Sequence, residues 1–148
     1  MNEEAHKELK KLFNGRFSTS QSTRANYARG EDTFDPVLSK GVVFPETNEE
    51  VSKILKICNE YSVPVVPFGT GTSLEGNVVG NDQGITISLE KMNKVLSVNV
   101  EDFDCRVQAC VTKEQLNDYL REDGVFFPID PGANAAIGGM ASTSASGT

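Results

Sequence analysis

Two glycine-rich segments constrain this chain more than any other feature. The first glycine segment (residues 67–77) reads Pro-Phe-Gly-Thr-Gly-Thr-Ser-Leu-Glu-Gly-Asn, and the second glycine segment (residues 130–148) carries four glycines among alanine, serine and threonine. Glycine permits a positive φ and lets the backbone approach a ligand closely. Successive backbone N–H groups and small hydroxyls are the donors that a diphosphate needs. The two segments therefore predict a diphosphate-binding site.

Spacing distinguishes three ways of placing glycines around a phosphate. A Walker A loop needs Gly-Lys-Ser/Thr, but Gly71 is followed by Thr72 and Ser73 without a lysine. A Rossmann loop needs G-x-G-x-x-G opening into a helix, whereas the glycines at 69, 71 and 76 lead into a turn. A nest of N–H groups supported by threonine and serine hydroxyls remains. Two simpler interpretations stay open: a tight connection between strands for the first segment and a small-residue tail for the second.

The net charge of the chain restricts the kinds of ligand that it is expected to bind. The chain has 148 residues, enough for one domain or a piece of a larger one, and a formal net charge of −7. An acidic balance argues against nucleic-acid binding, which relies on lysine and arginine patches. Neither glycine segment contains a lysine or arginine, so a bound anion would be held by backbone dipoles and hydroxyls. No apolar run approaches the length of a membrane span.

The side chains that most often carry chemistry are few. Cys58, Cys105 and Cys110 lack metal-ligand spacing and are typical of reduced thiols in a cytosolic protein. We expect Cys58 and Cys105 to pack in the core, and the single histidine, His6, to lie on a solvated helix. The first residues lack a signal peptide, which favours a cytoplasmic location. We predict no metal site.

Local patterns predict an α+β fold with two well-marked helices. Thr47-Asn48-Glu49-Glu50 is a capping box, in which Thr47 accepts from the Glu50 N–H and Glu50 reaches back. The helix that follows should bury one apolar face and join two strands, 42–44 and 65–66, as a parallel β-α-β unit. The members of that face are Val51, Ile54, Leu55 and Cys58.

The remaining elements are short. Residues 85–89 are predicted to form a strand, and residues 95–100 and 104–111 an antiparallel hairpin. A second capping box at Thr112 starts a helix that presents Leu116, Tyr119 and Leu120 on one face and stops at Gly124. Residues 1–34 are interpreted as a lead-in of helix and loop before the main domain.

The order of these motifs resembles a known family. Val43-x-Pro45, the capped helix, Pro64-Val-Val-Pro67, the glycine loop and Asp130-Pro-Gly before Ile137-Gly-Gly look like the FAD-binding domain of the vanillyl-alcohol-oxidase (PCMH) type. The likeness is greatest to the group of D-lactate dehydrogenases and glycolate oxidase D-subunits, and it runs from residue 35 to residue 148. It implies a first subdomain of small mixed β-sheet with helices, followed by the start of a second, truncated subdomain.

The resemblance implies which residues bind the cofactor. The first segment would line the FAD diphosphate, and the second would contact the diphosphate and the flavin side. Thr72 stands where some relatives attach flavin through histidine, so FAD should be bound non-covalently. The implied FAD-binding residues are Pro67, Phe68, Gly69, Thr70, Gly71, Thr72, Ser73, Gly76, Asp130, Pro131, Gly132, Ala133, Asn134, Ala135, Ala136, Gly138, Gly139, Thr143, Ser144, Ala145 and Ser146.

The resemblance also implies a reaction. It predicts oxidation of a small 2-hydroxy acid (D-lactate, glycolate or D-2-hydroxyglutarate) to the 2-oxo acid, with an acceptor protein or quinone taking the electrons. In this group the substrate-binding and catalytic residues belong to a later cap domain, so we expect the chain to be the inactive front part of a longer enzyme. Peripheral attachment to the inner membrane would accompany a quinone acceptor. A nucleotide-binding fragment without redox chemistry, or another reaction on the same fold, are the alternatives.

Overall fold

The computed structural model describes residues 2–129 and 132–145, which fall into two compact units, Met1–Lys91 and Met92–Thr148. Asp130, Pro131 and Ser146 of the predicted site lie outside the described residues. Unit 1 contains α1 (Glu3–Leu12), β1 (Phe17–Ser18), α2 (Gln21–Asn26), β2 (Val42–Val43), α3 (Asn48–Glu60), β3 (Val65–Phe68) and β4 (Ile85–Ser88). Unit 2 contains β5 (Val95–Asn99), β6 (Asp104–Val107), α4 (Lys113–Leu120), a 3-10 turn (Arg121–Asp123) and α5 (Ile137–Ser142).

A four-stranded mixed sheet organises unit 1. The strand order is β1-β2-β4-β3, with β1 antiparallel to β2 and the other neighbours parallel. The predicted β-α-β unit is confirmed, because β2 and β3 run in the same direction and α3 connects them. The strand predicted at 85–89 forms β4 and lies between them, with Val43 opposite Ile87 and Phe68 opposite Ser88. The small mixed sheet with helices is the fold that the family resemblance implied.

One face of this sheet carries the larger hydrophobic core, which α1 and α3 cover. The prediction of the α3 face was right for Ile54 and Cys58, which are buried, and wrong for Leu55, which is 46% exposed. Ile57 takes its place, because α1 packs on the side of α3 that carries Ile57. The buried members of the core are Ala5, Leu9, Phe13, Val43, Ile54, Ile57, Cys58, Val63, Ile85 and Ile87.

An ion pair ties the start of α3 to the chain before β1. Thr47 Oγ1 accepts from the Glu50 N–H at 3.2 Å, as the capping box predicted. The Glu50 carboxylate, however, accepts from the N–H of Glu46 at 2.7 Å and binds Arg16 through two bonds of 2.7 and 2.6 Å. The Arg16 guanidinium lowers the pKa of Glu50 to about 2. This contact joins segments more than thirty residues apart.

Unit 2 consists of a hairpin, a capped helix and a short terminal helix. The predicted antiparallel hairpin is confirmed by β5 and β6, and Thr112 accepts from the Gln115 N–H at 3.2 Å. The helical region ends at Gly124, whose φ is +71°. Two expectations were wrong: Cys105 and Tyr119 are exposed. The core of this unit is small, and its buried members are Val111, Leu116 and Leu120. Val107 is the only residue of β6 that packs against this core.

The Arg16 contact predicts a pH-dependent stability difference. The folded pKa of Glu50 lies below its ordinary value of 4.5, so the ion pair stabilises the fold above pH 4.5 and this contribution is lost as the pH falls towards 2. Both side chains are about a quarter exposed, at 25% and 22%. We therefore expect Glu50→Gln to lower the free energy of unfolding at pH 7 by roughly 1–2 kcal/mol.

Urea unfolding of wild type and Glu50→Gln between pH 2 and 7 tests this expectation. The two should converge near the acid end of the range. Glu49→Gln is the matched control, because Glu49 lies in the same first turn of α3 but makes no ion pair with Arg16. Equal losses for the two variants would contradict the assigned role of Arg16.

Candidate functional site

The first glycine segment begins at the carboxyl end of a parallel strand. Pro67 and Phe68 are the last two residues of β3, and the N–H of Leu89 donates to the Phe68 carbonyl at 2.9 Å. Phe68 is buried and makes an edge contact with the Tyr27 ring, with centroids 5.0 Å apart. Ligands of open α/β sheets bind beyond the carboxyl ends of the strands. The segment therefore lies where such a sheet places a ligand.

Two positions in the segment require glycine. Gly71 has φ +77° and Gly76 has φ +72°, a region that other residues rarely adopt. A Cβ atom on Gly71 would lie 2.9 Å from Cζ of Phe68, and one on Gly76 would lie 2.9 Å from the Phe34 ring. Both glycines are therefore fixed by backbone conformation and by close packing.

The segment offers hydrogen-bond donors that nothing else uses. Within residues 2–129 and 132–145, the backbone N–H groups of residues 69–75 donate to no protein acceptor. The hydroxyls of Thr70 and Thr72 are 3.4 Å apart, and Ser73 Oγ accepts from Asn77 Nδ2 at 3.1 Å, which leaves the Ser73 proton available. Turns rather than a helix follow the segment, as expected for a nest. These donors suit a group rich in negatively charged oxygens.

A buried hydroxyl lies beside the start of the segment. Ser88 is fully buried, and its Oγ has no hydrogen-bond partner among the described residues. Ser88 is the last residue of β4 and pairs in register with Phe68. A buried polar atom without a partner is uncommon in native proteins and is often found where a water or ligand is bound.

The second glycine segment is paired along much of its backbone inside unit 2. The N–H groups of Ile137 and Gly138 donate to the carbonyls of Val111 and Ala109, each at 2.8 Å. Ala136 is buried and forms an isolated antiparallel bridge with Thr112. Sequence patterns missed the short helix α5 that follows, because its residues Ile-Gly-Gly-Met-Ala-Ser include two glycines.

Other predicted residues of the second segment have partners of their own. Asn134 accepts from the Glu114 N–H at 3.1 Å and donates to Glu114 Oε2 at 2.9 Å, which fixes its side chain at the start of α4. Thr143 Oγ1 donates to the Gly139 carbonyl at 3.0 Å. Gly132, Gly139, Thr143 and Ser144 are exposed, whereas Ala133, Ala135, Gly138 and Ala145 are half-buried. The first segment lies in unit 1 and this one in unit 2.

Among the described residues, the side chains that most often ligate metals do not cluster. No group of three His, Cys, Asp or Glu side chains within residues 2–129 and 132–145 is arranged to hold a metal ion. Burial raises the pKa of the Cys58 thiol to about 11, so this thiol is protonated and unreactive near neutral pH. His6 packs edge-on against Phe17, with ring centroids 5.4 Å apart.

An open groove runs along α3, and none of its lining residues belongs to the predicted site. They are Asn48, Val51, Ser52, Leu55, Lys56 and Asn59.

Sequence reasoning missed residues 28–34, which contact the first glycine segment through Gly30, Glu31 and Phe34. Their only sequence signal is the turn-forming Gly-Glu-Asp, in a stretch interpreted as lead-in. No helix among the described residues is long and apolar enough to cross a bilayer.

Comparison with known proteins shows the family to which the chain belongs. Residues 39–148 match the family model described as "FAD binding domain". The chain is 47% identical over 131 residues to "Probable D-lactate dehydrogenase, mitochondrial" of Danio rerio, covering 88% of this chain and 26% of that protein. It is 41% identical over 143 residues to "D-lactate dehydrogenase [cytochrome], mitochondrial" of Arabidopsis thaliana, covering 95% of this chain and 25% of that protein.

One further relative and one solved structure are also similar to this chain. "Glycolate oxidase subunit GlcD" of Bacillus subtilis is 30% identical over 125 residues, covering 83% of this chain and 27% of that protein. A solved structure of alkyldihydroxyacetonephosphate synthase superposes with a TM-score of 0.90 at 24% identity, covering 99% of this chain and 33% of that one. The structural likeness shows the fold alone. The chain spans about a quarter of the length of the D-lactate dehydrogenases that it matches.

Adjacent glycines in α5 provide a test of the second segment's packing. A Cβ atom on Gly138 would lie 2.8 Å from both the carbonyl oxygen and the Cβ of Ala109, whereas one on Gly139 would meet nothing within 4 Å. We expect Gly138→Ala to lower the free energy of unfolding by about 1–3 kcal/mol through overpacking. Gly139→Ala should be neutral or stabilise by up to about 1 kcal/mol, because alanine is the better helix former.

Urea unfolding followed by circular dichroism measures both changes. The Gly139→Ala variant is the control, because it adds the same methyl group one residue away. Equal effects of the two substitutions would show that Gly138 is not packed against Ala109.

Proposed function

We propose that this chain, which belongs to the FAD binding domain family, uses its first glycine segment to hold the diphosphate of FAD. The observation that carries the proposal is the row of unused backbone N–H groups at residues 69–75, in a loop whose shape depends on the positive φ of Gly71. The segment lacks lysine and arginine, so backbone dipoles and the hydroxyls of Thr70, Thr72 and Ser73 would stabilise the phosphate charge by hydrogen bonding.

The described residues fit such a cofactor. The N–H groups of residues 69–75 are free to donate to it, and Ser88 contributes a buried hydroxyl without a partner among the described residues, next to the strand end where the segment begins. Residues 67–73 and Gly76 would hold the diphosphate. In the second segment, exposed or half-buried residues from 132 to 145 would supply the contacts implied by the family resemblance. We also propose non-covalent attachment, because Thr72 cannot form the histidyl bond to flavin seen in some relatives of this type.

The reaction class follows from the relatives. We infer that the intact protein oxidises a small 2-hydroxy acid, since the relatives are named as D-lactate dehydrogenases and as part of a glycolate oxidase. The isoalloxazine ring of FAD supplies hydride acceptance when bound, and this chain's residues bind and orient the cofactor. The residues that recognise the substrate and move its proton belong to a part of the enzyme beyond these 148 residues.

The acceptor and the compartment are parts of the same proposal. A cytochrome is an acceptor of suitable chemistry, because the name of the Arabidopsis relative specifies one. A quinone is the other class that the family resemblance implied. The names of both D-lactate dehydrogenase relatives place them in mitochondria, so the cytoplasmic location expected from sequence stays a prediction.

Anaerobic reduction of the intact protein tests the reaction. D-lactate, glycolate or D-2-hydroxyglutarate should bleach the visible absorbance of bound flavin, while L-lactate serves as the control of opposite configuration. If FAD is bound but no 2-hydroxy acid reduces it, the reaction class is wrong and the cofactor assignment still holds.

A single substitution tests the diphosphate site. FAD at one hundred times its dissociation constant should stabilise the wild-type chain by about 2.7 kcal/mol. Gly71→Val should abolish this gain, because valine is strained at φ +77° and its side chain would displace the Phe68 ring. Flavin fluorescence and the thermal midpoint, each measured with and without FAD, give the result.

Gly15→Val is the matched control. Gly15 has φ +78° in the same unit, so the backbone strain is similar, but a Cβ there meets nothing within 4 Å. This variant should lose stability and keep its FAD affinity. Wild-type affinity in Gly71→Val would refute the assignment of the first glycine segment.

A further inference from the structure

We infer that residues 28–34, here called the supporting segment, position the first glycine segment so that its N–H groups face the ligand. Gly30 and Asp32 are the positioning residues. The inference rests on the proposed function of the first glycine segment and adds to it residues from a part of the chain that sequence patterns assigned to a lead-in.

The supporting segment is hydrogen-bonded to the first glycine segment and to the chain just after it, which together are called the glycine loop (residues 67–80). The N–H of Glu31 donates to the Gly71 carbonyl at 2.9 Å, near the start of the loop. The N–H of Gly80 donates to the Ala28 carbonyl at 3.0 Å, where the loop returns. Both bonds are backbone to backbone, so they fix the path of the loop independently of its side chains.

The bond to the Gly71 carbonyl determines where the next N–H points. In a trans peptide unit the C=O and the following N–H point in opposite directions, and the described chain contains no cis peptide. Because the Gly71 carbonyl is held towards Glu31, the N–H of Thr72 is directed away from the supporting segment. A reversal of this peptide would turn a carbonyl oxygen towards the phosphate, which would repel it.

Gly30 allows the two backbones to come this close. A Cβ atom on Gly30 would lie 2.5 Å from the Gly71 carbonyl oxygen and 2.9 Å from that of Ser73. It would also lie 2.8 Å from Val78 Cγ2. The Ser73 carbonyl therefore also lies against the supporting segment, and the N–H of Leu74 is directed away from it by the same rule.

Asp32 holds the turn that presents Gly30. It is only 7% exposed, and its two carboxylate oxygens accept from the N–H groups of Gly30 at 3.1 Å and Phe34 at 3.0 Å. Phe34 in turn covers Gly76, where a Cβ would lie 2.9 Å from the ring. One buried carboxylate thus orients Gly30 and Phe34, two of the three residues of the supporting segment that contact the first glycine segment.

The test compares Gly30→Ala and Asp32→Asn with wild type. The added methyl of Gly30→Ala would force the Gly71 and Ser73 carbonyls away, and we expect a rise of about tenfold in the FAD dissociation constant, the effect of one lost hydrogen bond. Asp32→Asn keeps the shape of the side chain but removes one of its two acceptors, so a rise of severalfold is expected. Flavin fluorescence titration measures both constants.

A readout without FAD separates positioning from stability. Hydrogen exchange of the Glu31 and Gly80 amides, whose N–H groups donate to the Gly71 and Ala28 carbonyls, should be faster in both variants than in wild type, while exchange in β4 stays unchanged. Gly41→Ala is the matched control, because a Cβ there would lie 2.6 Å from the Phe17 ring in the same unit but would not touch the loop. It should lower the thermal midpoint and leave FAD affinity unchanged.

Each outcome decides something. Unchanged FAD affinity in both Gly30→Ala and Asp32→Asn overturns the inference, and so does an equal loss of affinity in Gly41→Ala. If Gly30→Ala does not fold, Asp32→Asn decides alone. If wild type binds no FAD, the proposed function fails, while the exchange experiment still shows whether the supporting segment orders the loop.

Discussion

The parallel pairing of β4 with both β2 and β3 is the constraint on which the rest of unit 1 depends. It brings the carboxyl ends of three strands to one edge, and the pairing of β3 with β4 ends at Phe68 and Ser88. Beyond that edge the backbone N–H groups are no longer used by the sheet. The first glycine segment begins there, so the donors that a diphosphate needs are a consequence of where the ladder stops.

Holding those donors in place requires more than glycine. Glycine permits the positive φ of Gly71 and Gly76, but the same freedom would let the loop adopt many shapes. The hydrogen bond from Glu31 and the close approach of Gly30 restrict it. The Arg16–Glu50 contact lies at the start of α3 and involves no residue of the first glycine segment or of the supporting segment. Binding and stability therefore depend on different contacts, which single substitutions can separate.

Much of this fold could be predicted from local signals, because caps and turns act over a few residues. Thr47, Thr112 and Gly124 mark helix ends as their residue types indicate. Long-range packing was harder to predict: nothing in the sequence of α3 shows that α1 covers Ile57 and leaves Leu55 exposed. The supporting segment escaped sequence reasoning because its contacts to the glycine loop are made mainly by backbone, which leaves no side-chain pattern to detect.

The central claim is that backbone N–H groups of the first glycine segment bind the FAD diphosphate. Amide NMR of the ¹⁵N-labelled chain, titrated in parallel with FAD and with ADP, tests it directly, because ADP carries the diphosphate without the flavin. Downfield shifts of the same amide protons, Thr72 foremost among residues 69–75, are expected with both ligands. If the amide protons of residues 69–75 keep their chemical shifts when FAD and ADP are added, the claim is contradicted.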